Sequence, residues 1–158
     1  MANHAGRADG GVRYADELTT ELVWEVGDFL LSRLERATRA HPPGSEEHIT
    51  AAALEDTVAG LVLTLRSAIT GRPLGRVRVP DGTPPAPAPC EEVRRVRAET
   101  RLERIREDWN DLRDLAARWG SVPGYPGAHW HRIRFRDAAH ERWYEERRRH
   151  AVPAPEHG

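Results

Sequence analysis

Residues 91–120, EEVRRVRAETRLERIREDWNDLRDLAARWG, form the longest unbroken helical pattern in the chain. On a wheel of 3.6 residues per turn, Leu102, Ile105, Trp109, Leu112, Ala116 and Trp119 share one apolar stripe, and Arg104, Glu107, Asp111, Asp114 and Arg118 lie opposite. A helix of about 28 residues is about 42 Å long. Such a stripe has to be covered by other helices, and the rest of the chain must supply them.

Two earlier segments have that pattern. A first helix is expected to start within residues 14–16 and end near Ala40, with Leu18, Leu22, Val26, Phe29, Leu30 and Ala37 as its main stripe. Trp24 and Leu31 sit seven apart on another side, among Glu17, Glu21, Asp28 and Glu35. Large apolar residues on an acidic face imply a second contact, with the C-terminal segment or with another subunit. His41-Pro42-Pro43-Gly44 stops this helix, because proline lacks an N–H and disfavours helix before it. Ser45 is then a suitable N-cap, with Glu46 and Glu47 in the first turn. A second helix to about Thr70 buries Leu54, Val58, Leu61, Val62, Leu65 and Ile69, and Gly71 and Pro73 end it. The pair reads as an αα-hairpin.

Residues 72–90 break the periodicity. Leu74-Gly75-Arg76-Val77-Arg78-Val79 alternates like a short extended piece, and five prolines between Pro80 and Pro89 make an extended spacer. Its reach leaves the third helix parallel or antiparallel to the second. After Gly120, the string Ser121-Val122-Pro123-Gly124-Tyr125-Pro126-Gly127 is an irregular loop. Residues 129–136, HWHRIRFR, read as extended with His131, Ile133 and Phe135 on one side, and Asp137 is a plausible N-cap for a last helix to about His150. The expected fold is all-α: three long helices, an αα-hairpin plus a third helix after the Pro-rich linker 72–90, and a short C-terminal helix. Residues 14–150 form one domain between disordered ends, 1–13 and 151–158.

Composition narrows the functional classes. With 39% apolar and 31% charged residues, the 158-residue chain suits a bundle whose helices each show one face to water. All 24 basic residues are arginine, which reads as the mark of a GC-rich genome. Cys90 is the single cysteine, so no intrachain disulfide forms. Together with an N-terminus lacking an apolar run and no stretch of about 18 consecutive apolar residues, this points to a cytoplasmic protein with no membrane partner. Net charge is −1, yet residues 1–71 carry six Arg against eleven acids, and 91–150 carry fifteen against twelve. An acidic front and a mildly basic back attract each other within a bundle or between subunits.

No stretch carries an evident catalytic or nucleotide-binding motif, and no cofactor or metal is expected. Glu25 and Asp28 form an i, i+3 pair with Glu21 one turn earlier. The string Glu25-Val26-Gly27-Asp28 resembles the E-x-x-D helix of all-α nucleotide pyrophosphohydrolases of the MazG type. That resemblance implies magnesium held between this helix and an E-x-x-E helix. No E-x-x-E occurs in the chain, so Glu55 and Asp56 would have to substitute. On the third helix, Arg104 with Glu107 and Asp114 with Arg118 are spaced for intrahelical ion pairs. His129, His131, His140 and His150 cluster late, but no Cys–Cys or H-E-x-x-H pattern accompanies the H-x-H pair.

The basic C-terminal segment combines Trp130, Arg132, Arg134, Arg136, Trp143, Arg147, Arg148 and Arg149, residue types that pair with phosphates and stack on bases. Asp137, Glu141, Glu145 and Glu146 interrupt it, and closure over the acidic first helix is the intramolecular alternative. The leading expectation is a non-enzymatic helical interaction module, an adaptor or regulator that binds itself or another protein through Trp24 and Leu31. A nucleic-acid accessory protein using the Arg/aromatic segment comes next, and a magnesium-dependent pyrophosphohydrolase third.

Overall fold

The computed structural model describes residues 11–75 and 80–151. It is an all-α bundle of three long helices, α1 (Thr20–Ala40), α2 (Glu46–Thr70) and α3 (Glu91–Ala117), followed by a short α4 (Ala138–Ala151). Single 3₁₀ turns occupy Ala15–Glu17 and Gly127–His129. Residues 1–10, the extended piece at 76–79 and the tail 152–158 lie outside the described residues.

The first helix starts later than its pattern suggests. Thr19 caps it, its hydroxyl accepting from the Leu22 N–H at 3.3 Å. Residues 14–16 are instead engaged elsewhere: Tyr14 pairs in parallel with Phe135, and the N–H groups of Ala15 and Asp16 donate to the Phe135 and Arg136 carbonyls at 3.2 and 3.1 Å. A tertiary contact uses the donors that an earlier start would have left free. The buried stripe of α1 is Val23, Val26, Gly27, Leu30 and Leu34, with Leu22 and Phe29 packed at its edge and Leu18 buried just ahead of it.

At α2 the punctuation acts as expected. The Ser45 hydroxyl accepts from the His48 N–H at 3.2 Å, and Gly71 closes the helix in the left-handed region at φ 67°. Val58, Val62 and Leu65 are fully covered, while Leu54, Leu61 and Ile69 pack around them. The two helices approach closely where Gly27 meets Val62, since a Cβ on Gly27 would lie 2.8 Å from Val62 Cγ2. At the other end, Thr38 holds the hairpin shut. Its carbonyl lies 3.0 Å from His48 Nδ1, and its hydroxyl lies 3.4 Å from a Glu55 carboxylate oxygen.

The proline-rich segment does not carry α3 to the far end of the bundle. Residues 96–104 lie beside 64–74, so α3 begins next to the end of α2. Its stripe is the one read from the wheel: Ile105, Trp109, Leu112 and Ala116 are buried, with Leu102 and Trp119 packed at either end. The first two turns, 91–98, stand exposed. The ion pairs differ from those expected. Arg104 faces Asp108 at 3.6 Å rather than Glu107, and Asp114 takes Arg113 at 2.7 Å and Arg132 at 2.5 Å rather than Arg118.

One face of α3 is also a polar ladder for the chain that returns. Trp109 Nε1 donates to the His131 carbonyl at 2.9 Å and Arg113 Nε to the Trp130 carbonyl at 3.2 Å. Between them, the buried Asn110 amide donates to the Ile133 carbonyl and accepts from the Ile133 N–H, both at 2.9 Å. These bonds seat Trp130 and Ile133 in the core, each at most 1% exposed.

Asn110→Ala leaves a buried backbone donor and acceptor of Ile133 without partners, a loss of about 2–4 kcal/mol. It should appear as a lower urea midpoint at unchanged slope. Gly27→Val forces the α1–α2 crossing apart and costs about 1–3 kcal/mol, read in the same titration, although valine is the better helix former.

Candidate interaction surfaces

The basic C-terminal segment divides in two. Trp130, expected on a nucleic-acid face, is a core residue instead. Its ring meets Phe29 at 5.2 Å and Tyr125 at 5.4 Å, those two meet each other at 5.5 Å, and its Nε1 donates to Glu25 Oε1 at 3.3 Å. Edge-to-face rings of this kind stabilise by about 0.5–1.5 kcal/mol per pair beyond their burial. The hydrogen bond to Glu25 also brings the C-terminal segment against the acidic first helix, which is the intramolecular arrangement considered from sequence.

Arg132 and Arg136 are answered by α3. Arg132 pairs with Asp114, and Arg136 lies 3.6 Å from Glu99 and 3.9 Å from Glu103. Arg134 lies over Phe135 at 5.5 Å. The remaining members sit on α4, which has no buried residue: Trp143 and Tyr144 are about half exposed, Arg147 stacks over Trp143 at 4.9 Å, and Arg149 lies 3.9 Å from Glu145. Arg148 is exposed on the last turn. Of the eight residues grouped by sequence, Trp143, Arg147, Arg148 and Arg149 therefore share one open helix.

Asp137 caps α4, accepting from the His140 N–H at 2.7 Å. Its anchor is Glu141, which receives the Tyr14 hydroxyl and the Arg13 guanidinium. The Tyr14 hydrogen bond, opposed by burial and aided by Arg13, holds the Glu141 carboxyl below the ordinary range, and the same hydrogen bond raises the Tyr14 hydroxyl. Arg106 lowers Glu103. Burial works to raise Asp114, but its bonds to Arg113 and Arg132 leave it lowered.

Trp24 and Leu31 flank Gly27, three residues before it and four after. Leu31 packs against the core, whereas Trp24 stays 38% exposed beneath the Arg66 guanidinium of α2, 4.6 Å from its ring. The acidic cluster that the pyrophosphohydrolase resemblance would require does not assemble. Glu21, Glu25 and Asp28 are exposed on α1, while Glu55 is bonded to Thr38, ten residues further along α1 than Asp28 and so about 15 Å away by helical rise. Among the described residues no three His, Cys, Asp or Glu side chains converge as a metal site would require. His140 accepts from the Arg136 N–H at 3.3 Å and packs on Phe135, while His129 and His131 are exposed, the His131 ring lying against Gly11. Cys90 is exposed at the start of α3.

The surface missed by sequence reading lies on α2 and the start of α3. Ile49, Leu63, Leu74, Val93 and Val96 are between 40% and 61% exposed. The signal was present: Ile49 and Leu63 fall off the core stripe of α2, so this helix is apolar on two sides. It is also the one helix among the described residues long and apolar enough to cross a membrane, although Glu55 and Asp56 lie near its middle. No family model, curated protein or solved structure matches the chain.

Three lowered carboxylates make the C-terminal segment acid-sensitive, against a smaller set, Asp16 and Asp108, that burial raises. Glu141, Glu103 and Asp114 all have lowered values when folded, so their contribution is present above the ordinary carboxylate range and is lost as pH falls through the folded values. All three tie down residues of the C-terminal segment or its neighbour on α3. Acidification should therefore release α4 before the core opens. Hydrogen exchange at pH 3 should show protection lost over 138–151 while 105–116 remains protected.

Proposed function

We propose that the chain is a non-enzymatic helical interaction module that acts as an adaptor or regulator, associates with itself and works in the cytoplasm. One observation carries this reading: large apolar side chains stand exposed along α2 and the start of α3. Ile49 and Leu63 are exposed on α2, Leu74 and Val96 line one groove between the end of α2 and α3, Val93 is exposed on the first turn of α3, and Trp24 borders α2 through Arg66. Monomers rarely leave such groups in one region without a partner for them. The charge-polarised halves add attraction between copies.

A second reading rests on α4. An exposed helix bearing Trp143, Tyr144 and three consecutive arginines is suited to a single-stranded nucleic acid, whose bases stack on the rings while guanidinium groups meet the phosphates.

One experiment separates the two. Light scattering on nuclease-treated protein across a concentration series should give a mass near twice the 17.8 kDa subunit, with a protein-like absorbance ratio. Trp24→Arg should shift this equilibrium toward monomer with helicity unchanged, because a second guanidinium replaces the ring beneath Arg66. A species rich in 260 nm absorbance that salt strips away, and that disappears on truncation after Arg136, would favour nucleic acid. A clean monomer at every concentration would remove the leading reading.

A further inference from the structure

The outward face of α2 is a nearly uncharged strip in an otherwise highly charged protein. Ile49, Ala53, Asp56, Gly60, Leu63 and Ser67 follow one another along the side opposite Val58, Val62 and Leu65, and only Asp56 carries charge. Gly60 is its centre. It lies in the helix interior at ordinary helical φ, where glycine is among the least favourable residues, and no atom lies within 4 Å of where a Cβ would stand. Nothing within the subunit requires the missing side chain. A helix that approaches from outside would require it.

The strip ends in a groove of about 490 Å³ between the end of α2 and the first half of α3, floored by Ala68, Leu74 and Val96 and rimmed by Arg97, Arg101 and Arg104. Arg101 reaches over Gly71, with its Nη1 3.7 Å from the position of a Cβ there. At the opposite end of α2 is Glu46, with Ile49 59% exposed one turn later, whereas Glu47 falls in line with Val58 and Leu65 on the other side. One end of the face is therefore acidic with an apolar knob, and the other is basic with an apolar slot. Such a face is complementary to itself when turned end for end.

We propose that a second copy of this chain docks here, with α2 antiparallel to α2 across a two-fold axis at Gly60. In that register, residues equally far from Gly60 on either side meet. Ile49 of each copy comes opposite Gly71 and enters the slot formed by Ala68, Leu74 and Val96 of the other. Glu46 falls against the Arg97 and Arg101 rim, and Asp56 faces Thr64 rather than its own symmetry mate. The contact is isologous, so the pair closes on itself without growing into a filament. The inference rests on the self-association proposed above and adds its surface and register.

The test uses full-length protein and sedimentation equilibrium. Gly60→Arg should weaken the dimer at least tenfold while helical circular dichroism is kept or increased, because arginine is a better helix former than glycine. Glu46→Arg in one chain, and Arg97→Glu with Arg101→Glu in another, should each give monomers. Mixing the two should restore a heterodimer, since opposite charges then meet at both ends, and variants that merely misfold cannot recover in this way. If wild type dimerises but Gly60→Arg and both charge variants dimerise equally well, this surface is overturned and the interface lies elsewhere, so the self-association reading survives. If wild type is monomeric throughout, both fall. If that monomer instead floats with neutral phosphatidylcholine vesicles, the inference is overturned and the face of α2 serves lipid.

Discussion

The hydrogen bonds from α3 to the backbone of residues 130–133 are the constraint on which the rest of the bundle depends. An irregular segment in a protein interior has carbonyls and N–H groups that no regular ladder satisfies, and each unpaired buried group is costly. Asn110 resolves this at Ile133 with both halves of one amide, and Trp109 and Arg113 serve His131 and Trp130. With its backbone satisfied, the segment can seat a tryptophan and an isoleucine in the core. Without those two residues, the aromatic group of Phe29 and Tyr125 would lose its third ring and α1 would lose a large part of its cover.

Much of the fold was legible because the relevant information is local. The stop at Pro42-Pro43-Gly44, the Ser45 cap, the Gly71 end and the apolar stripe of α3 each depend on a few neighbouring residues, and each appears in place. Tyr14 and Trp130 were not legible. Nothing within a turn of Tyr14 reveals that Phe135 will occupy its backbone, so the helical pattern there was extended too far. Trp130 lies among arginines in sequence, which invites a surface reading. Its burial is decided by Phe29 and Glu25 on α1, far away along the chain, and by Arg113 on α3.

Charge shows the same divide between local and distant information. Pairing Arg104 with Glu107, or Asp114 with Arg118, follows from helical spacing alone. The structure takes Asp114 for Arg132 and turns Glu99 and Glu103 toward Arg136, so carboxylates of α3 neutralise the beginning of the basic segment. What remains exposed is the arginine cluster at the end of α4, a narrower candidate than the sequence offered. The apolar surface of α2 was overlooked for a related reason. Once a helix supplies a satisfactory inward stripe, leftover residues such as Ile49 and Leu63 are easily passed over, and only the packed arrangement shows that they are left together.

The parallel pairing of Tyr14 with Phe135 joins positions separated by most of the chain. Loop closure over such a span is entropically slow compared with zipping the short α1–α2 hairpin. During synthesis the hairpin can therefore form while the slot for Trp130 is still empty. It is completed only after α3 and the following loop have emerged from the ribosome. Until then, Phe29 and the side of α1 that meets Trp130 remain unsheathed, and a nascent chain at that stage presents the kind of apolar surface that chaperones bind.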